Sequence, residues 1–295
     1  MNIVSDFGHN NISHILRLEI LPLSRMQISD LKNSNYFVVN NKIDQKISHQ
    51  KWRKFILANI FSSVEYVPKR KIRRIDNPLH MNAESAFDPH NFIDYPPRSE
   101  FIELINYMKE RTGICDTQNK YVLLSQRERD NRYLFDANSK LPLQSFLSDA
   151  LNKIGIPFKF CDFAELDPVD QAKVSSGAAI FVSAHGAALT NMIFVPDNCF
   201  VMEFNLRKHW YCDPLCDAHF SGALANDEEC DGKLTFRPHF HKADYSNLSK
   251  LLDKTYIELD VDRYEGHYGR NPLSRKRLFV DGDNLIARIR ENFVG

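Results

Sequence analysis

The sequence contains no uninterrupted run of about twenty apolar residues, the length that a membrane-crossing helix requires. Its opening, Met1-Asn2-Ile3-Val4-Ser5-Asp6, lacks the basic-then-apolar layout of a signal peptide. Both absences lead to the expectation of a soluble, cytoplasmic chain. There is no excess of either charge, with 38 basic and 38 acidic residues, so no global field draws the chain to nucleic acid or to an anionic membrane. No Gly-x-Gly-x-x-Gly occurs, which argues against a nicotinamide or flavin dehydrogenase. The six cysteines, Cys115, Cys161, Cys199, Cys212, Cys216 and Cys230, form no evident disulfide framework and suit reduced thiols. A zinc site or loop disulfide at Cys212, Cys216 and Cys230, with His209 and His219 nearby, is the alternative, but that spacing fits no usual zinc pattern.

With 295 residues and 43% hydrophobic content, the chain can bury a full core and suits two domains of ordinary size. It is organised around residues 178–204. Two short apolar runs, 178–182 and 200–204, lack polar alternation, as parallel strands covered on both faces do. Between them His185-Gly186-Ala187-Ala188 are small residues at a strand's carboxyl end, where a helix start with free N–H groups can meet an anion. Val195-Pro196-Asp197-Asn198 stops the helix, and the second strand ends near Glu203, a carboxylate whose position suits a ribose.

The run His185-Gly186-Ala187-Ala188-Leu189-Thr190-Asn191, followed by Phe194-Val195-Pro196 and then Glu203, resembles the signature of glycosyltransferase family 61. Two further segments match in order. A Gly8-His9-Asn10-Asn11 turn leads to His14 and then to Pro22-Leu23; Leu18 stands where the family often has an acidic residue, with Glu19 beside it. Arg127 and Arg132 resemble the family's paired arginines, and Asp136 stands where an asparagine is common. Glu165 is similar to an acidic residue ahead of a helix and is expected to contact nucleoside.

In chain order, residues 2–7 read as a strand, 12–26 as a helix bent or ended by Pro22, and 36–39 and 64–67 as strands around a helix at 49–61. The basic run Lys69-Arg70-Lys71-Ile72-Arg73-Arg74 reads as a solvated edge or loop. Residues 76–97, rich in Pro, Asn, Asp and His, read as the interdomain linker. Beyond it come a helix at 98–112, a strand at 121–125, arginines at Arg127, Arg129 and Arg132, a helix at 141–154, a strand at 158–163 and a helix at 167–176. This βαβαβαβ order implies a parallel, Rossmann-like sheet with its ligand crevice at the strand ends. Residues 206–234 are expected to form a flap, 245–259 a helix, and 284–293 an amphipathic helix that could pack on the first domain. Tyr256-Ile257-Glu258-Leu259-Asp260-Val261-Asp262 also resembles the Asp-x-Asp of metal-dependent transferases, although too little chain follows it to build an acceptor half.

The resulting expectation is an α/β protein of GT-B type, two Rossmann-like α/β domains facing across a cleft, divided as residues 1–97 and 98–283, with helix 284–295 returning to the first. The resemblance implies transfer of xylose, another pentose or N-acetylglucosamine from a UDP-sugar to a glycan or glycoprotein, with inversion and without a metal or other cofactor. Arg127, Arg132, Glu165, His185, Gly186, Ala187, Leu189, Thr190, Asn191 and Glu203 are the expected donor-binding residues. Asp6, His9 and His14 are the candidates for the catalytic base. The alternatives are a non-catalytic nucleotide- or sugar-binding module and a metal-dependent transferase using Asp260 and Asp262.

Overall fold

The computed structural model describes residues 1–5, 16, 20–39, 47–81, 98–114, 120–126, 133–205, 244–267 and 275–293. They belong to two compact units, one of Met1–Cys115 with Leu166–Lys173, the other of Asp116–Glu165 with Val174–Gly295.

The first unit is built on β1 (Asn2–Ser5), β2 (Asn35–Val39), β3 (Ser63–Val67) and β4 (Pro78–Met81), all parallel in the order β3-β2-β1-β4. Ile3, Val4, Tyr36 and Val38 are fully buried, as expected of strands covered on both faces. Helix α1 (Leu21–Leu23), α2 (Ile28–Lys32) and α3 (Ile47–Ala58) lie among these strands in sequence. Helix α3 buries Trp52, Ile56 and Leu57, apolar residues at the spacing of one helical face. Lys69–Arg74 is a 3-10 helix with no buried residue, in keeping with a solvated basic run. Helix α4 (Arg98–Thr112) buries the stripe Phe101, Leu104, Ile105 and Met108 and ends at Gly113, whose φ of 66° only glycine adopts readily. Helix α4 belongs to the first unit, so the division falls later than the expected boundary at residue 97.

The second unit carries β5 (Tyr121–Ser125), β6 (Tyr133–Asp136), β7 (Phe158–Cys161), β8 (Ala178–Ala184), β9 (Phe200–Asn205), β10 (Thr255–Asp260), β11 (Arg263–His267) and β12 (Arg275–Val280). Five of them form a parallel sheet in the order β10-β9-β8-β5-β7. The order reverses between β5 and β8: the chain leaves β5 for β7 on one side, then crosses back to β8 on the other. The remaining three form a small sheet, β11-β12-β6. The α/β class with Rossmann-like parallel sheets is therefore the fold of both units. No described helix is long and apolar enough to cross a membrane.

Helices α5 (Leu143–Lys153), α6 (Pro168–Ser176), α7 (Asp244–Leu251) and α8 (Gly282–Asn292) complete the described α-helices. Two expectations change here. Residues 245–259 are not one helix: α7 stops, Asp253 turns with φ of 57°, and β10 pairs residue by residue with β9. The buried Lys254 anchors this break, its Nζ donating to the Pro196 carbonyl at 2.7 Å and to Asp197 Oδ1 at 2.9 Å. The last helix, α8, belongs to the second unit and buries Leu285 and Ile289 in its core with Leu134, Leu143 and Leu147, so the expected grouping of this helix with the first domain is not the one observed.

The start of α8 explains Asp136. This fully buried carboxylate accepts from the Ser139 N–H and hydroxyl, both at 2.6 Å, and from the Gly282 N–H at 3.1 Å. Burial raises its pKa, but these bonds together outweigh that and hold it below its ordinary value. A Cβ on Gly282 would lie 2.4 Å from Phe146 Cε1 and 2.6 Å from Asp136 Oδ1, so only glycine allows this approach. Asp136 thus ties β6 to the first turn of α8.

Candidate functional site

In open α/β sheets ligands bind outside the carboxyl ends of the strands, where the strand order reverses. In the second unit that point lies between the ends of β5 and β8. Ser183 Oγ, near the end of β8, donates to the Ser125 carbonyl at 3.1 Å, so the two ends are stitched together. Gln126 follows β5 and His185 follows β8. The His185 N–H extends the ladder by bonding the Phe204 carbonyl of β9 at 2.8 Å.

His185 is the centre of a hydrogen-bonded cluster. Its Nδ1 bonds Glu203 Oε1, and the Tyr256 hydroxyl donates to Glu203 Oε2. The Glu203 side chain is only 2% exposed and that of His185 10%. A carboxylate accepts and cannot donate, so Nδ1 carries the proton and the ring's orientation is fixed from behind. Tyr245 of α7 meets the imidazole edge-on, with ring centroids 5.4 Å apart at 68°. Both Glu203 oxygens are engaged and its side chain has almost no open edge, so this carboxylate faces its protein partners.

Gly186 has φ of 157° and ψ of −179°, a region that is essentially glycine-only. The chain then enters the short helix expected there, a 3-10 helix at Ala187–Ile193. Gly186, Ala187 and Ala188 are half-buried, whereas Leu189, Thr190 and Asn191 are fully buried. Two of these support the turn from inside: Leu189 N–H bonds the Gly186 carbonyl at 3.0 Å, and Asn191 Nδ2 the Ala188 carbonyl at 3.2 Å.

Glu165 lies exposed in the 3-10 turn Phe163–Glu165 after β7. Arg127, Arg129 and Arg132 are outside the described residues, as are the 206–234 flap and Cys115, Cys212, Cys216 and Cys230. Cys161 and Cys199 are buried and in no disulfide, and burial pushes the Cys161 thiol up to about 12. Among the described residues no group of three or more His, Cys, Asp or Glu could hold a metal ion. Asp260 closes β10 opposite Asn205, and the Asp262 N–H bonds the Phe279 carbonyl at 2.8 Å; both aspartates are exposed.

In the first unit the strand order reverses at β1, which lies between β2 and β4. Asp6 follows β1 in sequence, but Asp6, His9 and His14 lie outside the described residues. At that strand end the buried Arg53 of α3 donates through Nη2 to Ser5 Oγ at 3.1 Å.

The sequence singled out His185 and Glu203, which the structure joins by a hydrogen bond, but not Tyr256, Tyr245 or the bonds of Asp136. Tyr256 stands two residues before Glu258, the register partner of Glu203, so the two side chains are diagonal neighbours on one face. Only the pairing of β9 with β10 reveals this.

Among solved structures, the heptosyltransferase WaaC from E. coli with ADP is similar at a TM-score of 0.42 and 12% identity, covering 99% of this chain and 98% of its own. No curated protein matches the chain. The model of the glycosyltransferase 61 family matches residues 7–202, a span that includes the His185 turn and all but the last residues of the β8–β9 unit. With well over half of its length matched, the chain belongs to glycosyltransferase family 61 and is a glycosyltransferase, acting on a sugar donor and an acceptor.

Proposed function

We propose that the protein transfers a pentose such as xylose, or N-acetylglucosamine, from a UDP-sugar to a glycan or glycoprotein, with inversion and without a metal. The observation that carries the donor site is the His185 cluster at the strand-order reversal of the second unit, the place where a Rossmann-like sheet receives a nucleotide. In this reading the two units form a GT-B pair, with the donor on the second and the acceptor on the first.

Arg127 and Arg132 neutralise the diphosphate, since planar guanidiniums hold its oxygens bidentately. Gly186 lets the backbone approach the donor without a side chain in the way. His185, with Nδ1–H held by Glu203, contributes its other ring nitrogen to the donor side, and Glu203 acts through His185 instead of on a ribose. Glu165 contacts the nucleoside, and Leu189, Thr190 and Asn191 keep the turn in shape. Cationic and N–H groups can stabilise the departing diphosphate without an ion.

Inversion needs a base on the acceptor side to take the hydroxyl proton as the anomeric carbon is attacked opposite the diphosphate. Asp6 and His14 are the leading candidates and His9 the third. Asp6 and His9 follow the end of β1, where the first unit's strand order reverses, and His14 matches the family's histidine.

A thermal-shift screen of nucleotide-sugars tests the donor, because a ligand that binds only the folded state raises its melting temperature. The expected result is stabilisation by UDP-sugars and slow hydrolysis of the one stabilising most. Stabilisation without hydrolysis or transfer to any acceptor would favour a binding module. Loss of transfer after chelation, restored by manganese, would favour the metal-dependent route through Asp260 and Asp262.

A further inference from the structure

Gln126 immediately follows β5 at the reversal point and is 5% exposed. Its Oε1 accepts the Leu134 N–H of β6 at 3.1 Å. A backbone N–H can only donate, so the amide cannot be turned the other way, and Nε2 is fixed on the opposite side. There Nε2 is buried and has no hydrogen-bond partner. Folded proteins rarely leave a buried donor in this state, and a water, an ion or a catalytic or binding role is the usual reason. The remaining neighbour of β8 repeats the pattern: Asn205, which closes β9, is 4% exposed with an unpartnered Oδ1. Three adjacent strand ends, β9, β8 and β5, therefore present Asn205, His185 and Gln126, with the outer two about 10 Å apart at the usual strand spacing.

We infer that Gln126 is a further donor-binding residue whose Nε2–H donates to a diphosphate oxygen of the nucleotide-sugar. The inference rests on the donor reading above. The bond from Leu134 holds a rigid, uncharged donor at the β5 end of the strand-order reversal, and a diphosphate oxygen is an acceptor that such a place receives. Unlike an arginine, Gln126 adds no charge. It selects position by geometry, while its Oε1 keeps the end of β5 registered against β6.

The test replaces one atom. Gln126→Glu keeps an oxygen for Leu134 and puts a carboxylate oxygen where Nε2 stood. By calorimetry with UDP, the variant should bind about ten- to a hundred-fold more weakly, the range for losing a bond to a charged partner. Binding of uridine, which has no diphosphate, should stay within a factor of about two. Gln126→Met, which adds no buried charge, decides the matter should Gln126→Glu fail to fold: weaker UDP binding with uridine unchanged supports the inference. UDP affinity within two-fold of wild type in a folded variant overturns it while leaving the donor reading intact, and so does an equal loss for UDP and uridine. If the wild-type protein binds none of UDP, GDP, ADP and CDP, the donor reading falls and this inference with it.

Discussion

Removing the Tyr256 hydroxyl tests the architecture of the site more directly than any change to His185. In Tyr256→Phe the ring is kept and one O–H donor to a buried carboxylate is lost. A hydrogen bond to a charged group contributes about 1.5–3 kcal/mol, and an unpartnered buried acceptor adds a desolvation cost of the same order. Glu258 stands opposite Glu203 in the β9–β10 register, and like charges placed so repel, so the loss should fall toward the upper part of that range. Glu203→Gln, which removes the charge itself, should destabilise by a comparable amount because His185 Nδ1–H and the Tyr256 hydroxyl lose their anionic acceptor. Since both substitutions strike one network, their effects should not add, and the double variant should show a coupling of about 1–2 kcal/mol. The assay is urea unfolding followed by circular dichroism, with the transition of the second unit fitted separately. A companion measurement compares UDP with 2′-deoxy-UDP. If Glu203 serves His185, any preference of the wild type for UDP survives in Glu203→Gln. A Tyr256→Phe effect under about 0.5 kcal/mol, together with loss of that preference in Glu203→Gln, would refute the reasoning and return Glu203 to the ribose.

Gly186→Ala should lose about 1–3 kcal/mol of stability, the cost of holding a side chain in a glycine-only conformation; wild-type-like melting would mean that the turn relaxes easily. Asp136 is held below its ordinary pKa, so its contribution is present above the unfolded value of about 3.9 and is lost as pH falls through the lower folded value. Asp136→Ala should therefore flatten the acid limb of a stability–pH curve, and an unchanged limb would count against the bonds to Ser139 and Gly282. At the other end, burial and then the neighbouring Cys161 push the Tyr121 hydroxyl up to about 12, and burial then Asp162 push Cys161 to about 12. Both keep their protons in the folded state after the unfolded chain has lost them, so stability should decline from about pH 9 to 12. Mass-spectrometric mapping of thiol labelling at pH 8 should leave Cys161 unmodified until denaturant is added. For the base, Asp6→Asn, His9→Ala and His14→Ala are measured for turnover and UDP affinity; at least one should lose about a hundred- to ten-thousand-fold in rate with donor binding unchanged. Turnover within a few-fold of wild type in all three would place the base elsewhere.

The sequence determined what is local. The apolar runs around residues 178–182 and 200–204, the small residues between them and Val195-Pro196 specified a strand, a tight turn and a second strand, because each signal acts within a few residues of itself. The stripe of α4 and the glycine that ends it were legible for the same reason, as was the alternation of strands and helices that dictates parallel sheets. The tertiary structure decided what depends on which strand lies beside which. The placement of β10 against β9 brought Tyr256 to Glu203 and closed a buried His185–Glu203–Tyr256 hydrogen-bond cluster. The pairing of β6 with β12 made Asp136 the lock on α8 and fixed that helix in the second unit. The bond from the Leu134 N–H to Gln126 Oε1, which leaves Nε2 buried without a partner, likewise depends on which segments lie side by side. Pairing partners are selected by the collective burial of many side chains and by chain crossovers, and no single segment carries that information in its own periodicity.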